Sequence, residues 1–189
     1  GVHAWPNRKD KVASVIRFHQ ADIVGMQEVL RRQIDDLEEL LPGFAWIGVG
    51  RDDGENGGEF SPIFYRADRF AVIDNGTFWL SETPEVPGSI GWDAAITRIA
   101  NWAVMEDIES GKSFFLLNTH FDHRGTQARS ESARLLVSRI EDLAEGLPVI
   151  AGGDFNVPPT AEAYLTMTSV LSDSYVRSET PPHGVAATN

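Results

Sequence analysis

Val149-Ile150-Ala151-Gly152-Gly153-Asp154-Phe155-Asn156 is the stretch on which the reading of this chain turns. An apolar run ends in two glycines, after which an acid and an amide stand two residues apart. A buried strand that stops in this way delivers Asp154 and Asn156 to one face at its carboxyl end, because strand side chains alternate with period two. Two upstream segments close alike: Ala21-Asp22-Ile23-Val24-Gly25-Met26-Gln27-Glu28 and Phe114-Phe115-Leu116-Leu117-Asn118-Thr119-His120-Phe121-Asp122. Strand ends bearing Glu28, His120 and the Asp154/Asn156 pair point to one site assembled from several strands, suited to a metal ion and a phosphate.

The composition narrows the classes. A chain of 189 residues that is 42% hydrophobic can build one sizeable core, so residues 1–189 read as a single domain. No run approaches ~18 apolar residues, which excludes a membrane-spanning helix. No basic-then-apolar leader follows Gly1. The absence of cysteine rules out disulfides, zinc–thiolate sites and thiol nucleophiles. Sixteen basic against 28 acidic residues give a net charge of −12, a surface that repels polyanions at long range. That disfavours nucleic acid and favours a small phosphorylated or lipid-derived substrate, unless a local basic patch or bound divalent cations offset the field.

Spacing predicts the elements. Arg8 to His19 reads as a helix with Val12, Val15, Ile16 and His19 in phase, and Arg31 to Leu41 as a second, stopped by Pro42-Gly43. Strands are expected over Asp22 to Met26, Phe44 to Val49, Ser61 to Tyr65, Ala71 to Leu80, Ala95 to Glu106, Lys112 to Asn118 and Leu147 to Ala151. Gln127 to Ala144 is the longest helix and Thr160 to Val170 the last. Arg51 to Gly58 and Ser81 to Gly91 read as polar and Pro/Gly-rich loops. Helices at both ends of a strand-rich middle imply two packed sheets covered by helices on their outer faces.

Each candidate residue has two readings. Unaided phosphate-ester hydrolysis is so slow that enzymes supply up to about 10²¹-fold acceleration, whereas one general base is worth roughly 10²–10⁴. A metal and fixed donors must therefore share the work. Asp154 suits orienting or deprotonating a water, and Asn156 suits donating to a phosphate oxygen; together they read equally as a turn after a strand. Glu28 suits Mg²⁺, which takes oxygen ligands from one or two carboxylates plus waters, or else favours the start of the following helix. His120 suits a phosphate contact with Asp122 holding its tautomer, or a structural His–Asp pair. Arg98, within the alternation Ile96, Arg98, Ala100, Trp102, Val104, needs a partner: a phosphate or a buried acid. Glu59 opens a strand and is placed to reach His120. Trp46, Trp79, Trp92 and Trp102 read as core or pocket wall, and His3, His19 and His183 as surface, helix face and tail.

The order Ile23-Val24-Gly25-Met26-Gln27-Glu28, Ile63-Phe64-Tyr65-Arg66, Asn118-Thr119-His120 and Gly153-Asp154-Phe155-Asn156 resembles the endonuclease/exonuclease/phosphatase (DNase I-like) superfamily from about Arg8 to Tyr175. The resemblance implies an α+β fold, a four-layer αββα sandwich of two mixed, mainly antiparallel sheets, and a divalent-metal phosphoesterase using Mg²⁺ or Mn²⁺. It implies Glu28 as metal ligand, Glu59 in support of His120, Arg98 on the phosphate, and Asp154 and Asn156 positioning water and phosphate for in-line attack. A nuclease and an inactive scaffold of the same fold are the alternatives. The superfamily's first strand, with a metal-site Asn, and its closing Ser-Asp-His segment have no match here. By the resemblance the domain is incomplete at both ends, and residues 1–189 alone are impaired.

Overall fold

The computed structural model describes residues 4–180. Helix α1 (Lys9–Phe18) buries Ala13 and Ile16 but leaves Val15 56% exposed, so its apolar stripe is narrower than the spacing predicts. Helix α2 (Arg31–Leu40) buries Ile34 and Leu37 and starts where the Leu30 N–H donates to Gln33 Oε1 at 2.8 Å. That bond is half of a capping box, since Leu30 has no side-chain oxygen to return it. Helix α3 (Thr126–Ala144) buries Leu136 and Ile140, and the short α4 (Glu162–Thr168) and α5 (Ser174–Arg177) follow it. Of the histidines set aside on sequence grounds, His19 caps the end of α1, while His3 and His183 lie outside the described residues.

The strands make two layers. Strands β1 (Ile23–Gly25), β5 (Ile63–Arg66) and β3 (Phe44–Ile47) form an antiparallel sheet in that order, flanked by the pair β2 (Val29–Leu30) and β4 (Glu59–Phe60). The second sheet runs β6 (Phe70–Trp79), β7 (Ile99–Asp107), β8 (Lys112–His120) and β9 (Val149–Asp154). Its first two pairings are antiparallel and β8–β9 is parallel. Three apolar clusters show the layering: Ile16, Ile34 and Leu37 of α1 and α2 pack with Phe60 and Phe64; Ile63 meets Met105 and Leu116 between the sheets; Leu136 and Ile140 of α3 pack on Phe115 and Leu117. Helix, sheet, sheet, helix is the αββα order expected of an α+β chain with this alternation.

Several element boundaries differ from the sequence expectation by a few residues, β8 among them in running past Asn118 to His120, and two others shape the site. The strand predicted from Ala95 begins at Ile99, so Arg98 precedes β7, held there by its carbonyl accepting from Leu80 N–H at 2.8 Å. The strand predicted to end at Ala151 continues through both glycines, placing Asp154 itself opposite His120. Gly153 makes this possible: its φ of +145° and the Thr119 carbonyl, 2.1 Å from where a Cβ would stand, exclude any side chain. Period-two alternation therefore does not carry on to Asn156, whose φ of 50° turns it out of the strand.

The sheets are joined by a polar clamp inside an apolar interface. Asn118, 2% exposed on β8, donates through Nδ2 to the carbonyls of Met26 at 2.9 Å and of Ser61 and Pro62 at 3.0 Å. Its Oδ1 accepts from Gln27 Nε2 at 2.7 Å. Neighbouring Asn101 donates to Ser61 O at 2.7 Å. Gly25 admits the clamp, because a Cβ there would stand 2.7 Å from Asn118 Oδ1.

Asn118→Ala is expected to cost about 1–3 kcal/mol in urea unfolding, because the Met26 carbonyl and the Gln27 amide lose their Asn118 partner, whereas Ser61 O keeps Asn101 and Pro62 O keeps the Met26 N–H. Gly153→Ala is expected to cost about 2 kcal/mol or more, against less than about 1 kcal/mol for Gly152→Ala, where nothing lies within 4 Å of the added carbon. Equal costs for the two glycines, compared by the same unfolding curves, would remove the steric explanation.

Candidate active site

The carboxyl ends of β1 and β8 and the amino-terminal approach to β7 open on the same small hollow. Glu28, Arg51, Glu59, Ser61, Arg98 and His120 line it. Asp154 reaches its edge from β9, with Oδ2 3.8 Å from His120 Nε2. Four of the sequence-predicted residues thus share one wall, and a fifth abuts it. Glu28 holds its place in a left-handed backbone conformation, φ 59°, which a residue with a side chain adopts at a cost.

Asn156 stands apart in orientation. Its Nδ2 donates to Phe121 O at 3.0 Å and its backbone N–H to Asp154 Oδ1 at 2.9 Å. One amide hydrogen is therefore committed to the backbone, and the residue fastens the β9 turn to the end of β8. Glu59 also departs from expectation: its carboxylate pairs with Arg51 Nη1 at 2.6 Å, not with His120. Asp122 does not hold the His120 tautomer. Its oxygens accept from the N–H groups of Ala95, Arg124 and Gly125, and Oδ2 faces Arg98 Nε at 3.8 Å.

Arg51 is the site residue that sequence reasoning missed, because its loop reads as a solvated turn. The fold curls that loop back, pairing Arg51 N–H with Glu59 O at 3.1 Å, and Trp79 Nε1 donates to Arg51 O at 2.7 Å. An arginine and a glutamate at the two mouths of one Gly-rich loop were the available signal. Trp79 is a buried wall residue, as read, and Trp102 stacks on Phe115.

The electrostatics are unusual for an acidic chain. Arg98 is 4% exposed, with Nε and Nη1 lacking any hydrogen-bond partner, and Nη2 is 3.1 Å from His123 Nδ1. Burial, and then Arg51, disfavour its charge, against the pull of Asp122, Glu59 and Glu28. Burial and then Arg98 push the His120 pKa down to about 4, although Asp154 opposes them. His120 is consequently neutral at pH 7 and able to donate one hydrogen bond. Burial alone would raise the Asp122 pKa, but the N–H groups of Gly125, Arg124 and Ala95, with Arg98 beside them, hold it below the usual carboxylate range. Among the described residues no three His, Asp or Glu side chains form a closed metal-ligand set. An open donor set of one or two carboxylates, such as Glu28 presents, is the pattern that suits Mg²⁺, which keeps several waters and takes further oxygens from a phosphate.

The family model for endonuclease/exonuclease/phosphatase proteins matches residues 2–188. The chain belongs to the endonuclease/exonuclease/phosphatase family. All three activities in the family's name hydrolyse phosphoric esters. A solved endonuclease/exonuclease/phosphatase from Bacteroides vulgatus is 48% identical, with a TM-score of 0.88 over 89% of this chain and 65% of that one. A mannosyl-6-phosphatase from Bacteroides thetaiotaomicron is 46% identical, with a TM-score of 0.89 over 92% of this chain and 66% of that one. Rat Nocturnin is 27% identical over 173 residues, which are 85% of this chain and 38% of Nocturnin. The chain thus spans about two thirds of those solved proteins and about two fifths of Nocturnin. No described helix is long and apolar enough to cross a membrane.

The His120 shift makes a signed stability prediction for the metal-free protein. With the folded pKa near 4 and the ordinary value at 6.5, the unfolded chain takes up the proton first, so stability is lost as pH falls from 6.5 towards 4. Urea unfolding at pH 7 and pH 4.5 should show a smaller acid loss in His120→Asn than in wild type, by up to about one proton of linkage. Parallel pH curves for the two proteins would mean that His120 titrates normally.

Proposed function

We propose that this protein is a Mg²⁺-dependent phosphoesterase acting on a phosphomonoester or phosphodiester of a small molecule, with a phosphorylated sugar as the first candidate. The observation that carries this reading is Arg98: a buried guanidinium with two unpartnered N–H donors, beside a second arginine, in a hollow also lined by a neutral histidine and two carboxylates. Such a fork, buried and with no acid in hydrogen-bond contact, suits a phosphate oxygen pair. The likeness to a mannosyl-6-phosphatase supports the sugar phosphate.

In this reading Arg98 and Arg51 hold the phosphoryl oxygens, and His120, neutral at pH 7, donates a hydrogen bond to one of them. Asp154, half exposed at the end of β9, accepts a hydrogen bond from the attacking water and fixes its line of approach. Asn156 keeps that carboxylate in place through its backbone N–H and has one amide hydrogen left for substrate. Glu28 would hold the divalent ion, Mg²⁺ or in its place Mn²⁺. When bound, the ion neutralises charge on the phosphate and leaving oxygen. Glu59 orients Arg51 in place of His120, its expected partner.

The charge of −12 counts against a nuclease, the rival reading, whose binding would fall steeply with added salt. In the full-length protein, phosphate release from mannose 6-phosphate and hydrolysis of bis-p-nitrophenyl phosphate should both require Mg²⁺ and stop with chelator. Asp154→Ala and Glu28→Ala should each lower kcat by roughly 10²–10⁴-fold. Turnover that survives both substitutions would overturn the assignment, and no hydrolysis of any ester by the full-length wild type would favour a scaffold.

A further inference from the structure

The buried guanidinium of Arg98 needs something to set its plane, and few groups are available. Asp122, though nearly fully buried, stays 3.8 Å from Nε, and its oxygens already accept three backbone N–H groups. Nε and Nη1 have no partner. The one hydrogen-bond contact of the Arg98 side chain among the described residues is Nη2 to His123 Nδ1, at 3.1 Å.

We propose that His123 is the positioning residue for this arginine, acting through Nδ1 to aim the guanidinium fork at the phosphate of the substrate. The inference rests on the phosphoesterase reading and deepens it. An arginine only donates, so the bond requires the lone pair on Nδ1 and leaves the ring proton on Nε2. One Nη2 hydrogen is then fixed on the imidazole. The other, together with the adjacent Nε–H or Nη1–H, forms the two-pronged edge that matches two phosphate oxygens. Local structure places His123 well for this role. The Asp122 carboxylate anchors the following turn through the N–H groups of Arg124 and Gly125, and Arg129 Nη1 donates to Asp122 O at 3.1 Å. The ring itself is 44% exposed, so its replacement leaves the core intact.

Atom positions supply the test. In asparagine, Oδ1 occupies the place of Nδ1, whereas the glutamine amide reaches towards Nε2. His123→Ala is expected to raise KM for the phosphate ester, and to weaken inhibition by inorganic phosphate, about tenfold with little change in kcat. His123→Asn should restore most of that loss and His123→Gln should not. In an Arg98→Ala background, His123→Ala should have no further effect. Asn rescue no better than Ala, a better rescue by Gln, or additive losses in the double variant would each overturn the role of Nδ1. Wild-type protein that binds no inorganic phosphate would overturn the phosphoesterase reading and this inference with it. Wild-type activity that is indifferent to His123→Ala would overturn only the latter.

Discussion

The structure depends on one carboxamide. Asn118 sits where two sheets meet over apolar side chains, and it binds the carbonyls of Met26, Ser61 and Pro62 while accepting from Gln27. Apolar contacts such as Ile63 with Met105 and Leu116 hold the sheets together without choosing a register. Hydrogen bonds to a buried amide do choose one, because a slip would leave carbonyls unpaired at about 1–3 kcal/mol each. Two residues from Asn118 stands His120, and next to Gln27 stands Glu28. The clamp that aligns the sheets therefore also brings those two side chains to one hollow.

A second constraint is electrostatic. The chain carries an excess of acid, yet Arg98 and Arg51 face one pocket with orphaned donors on both. Net charge governs long-range attraction, while a site senses charges within a few ångströms in a poorly screened setting. Burial disfavours the charge on both Arg98 and His120, and a neighbouring arginine adds to it in each case. The unpartnered guanidinium donors in that pocket gain from an anion that accepts from them.

Much of this is legible in the sequence. The alternation of apolar runs with glycines and polar ends places the longer strands and helices to within a few residues, though not the two-residue strands β2 and β4 or the short α5. The motif residues Glu28, Glu59, Arg98 and His120 do come to share a wall. The misplacements are instructive. Glycines weaken strands, so the sequence pattern ends β9 at Ala151, but the parallel neighbour β8 continues the ladder through them to Asp154. Alternating neighbours put Arg98 inside a strand, yet alternation alone says nothing about which backbone groups find partners.

By itself the sequence determined that Glu28, His120 and Asp154 stand at or just past strand ends, since apolar runs closing in polar residues set where a buried strand meets solvent. It also determined the layer order, since each apolar face must be buried by some neighbour. Only the tertiary structure decided who pairs with whom: Glu59 with Arg51, Asp122 with a turn of backbone N–H groups, Asn156 with the Phe121 carbonyl, His123 with Arg98. Those choices depend on distances between segments far apart in the chain, which no local period encodes. They are settled when the sheets dock and water leaves the polar groups between them.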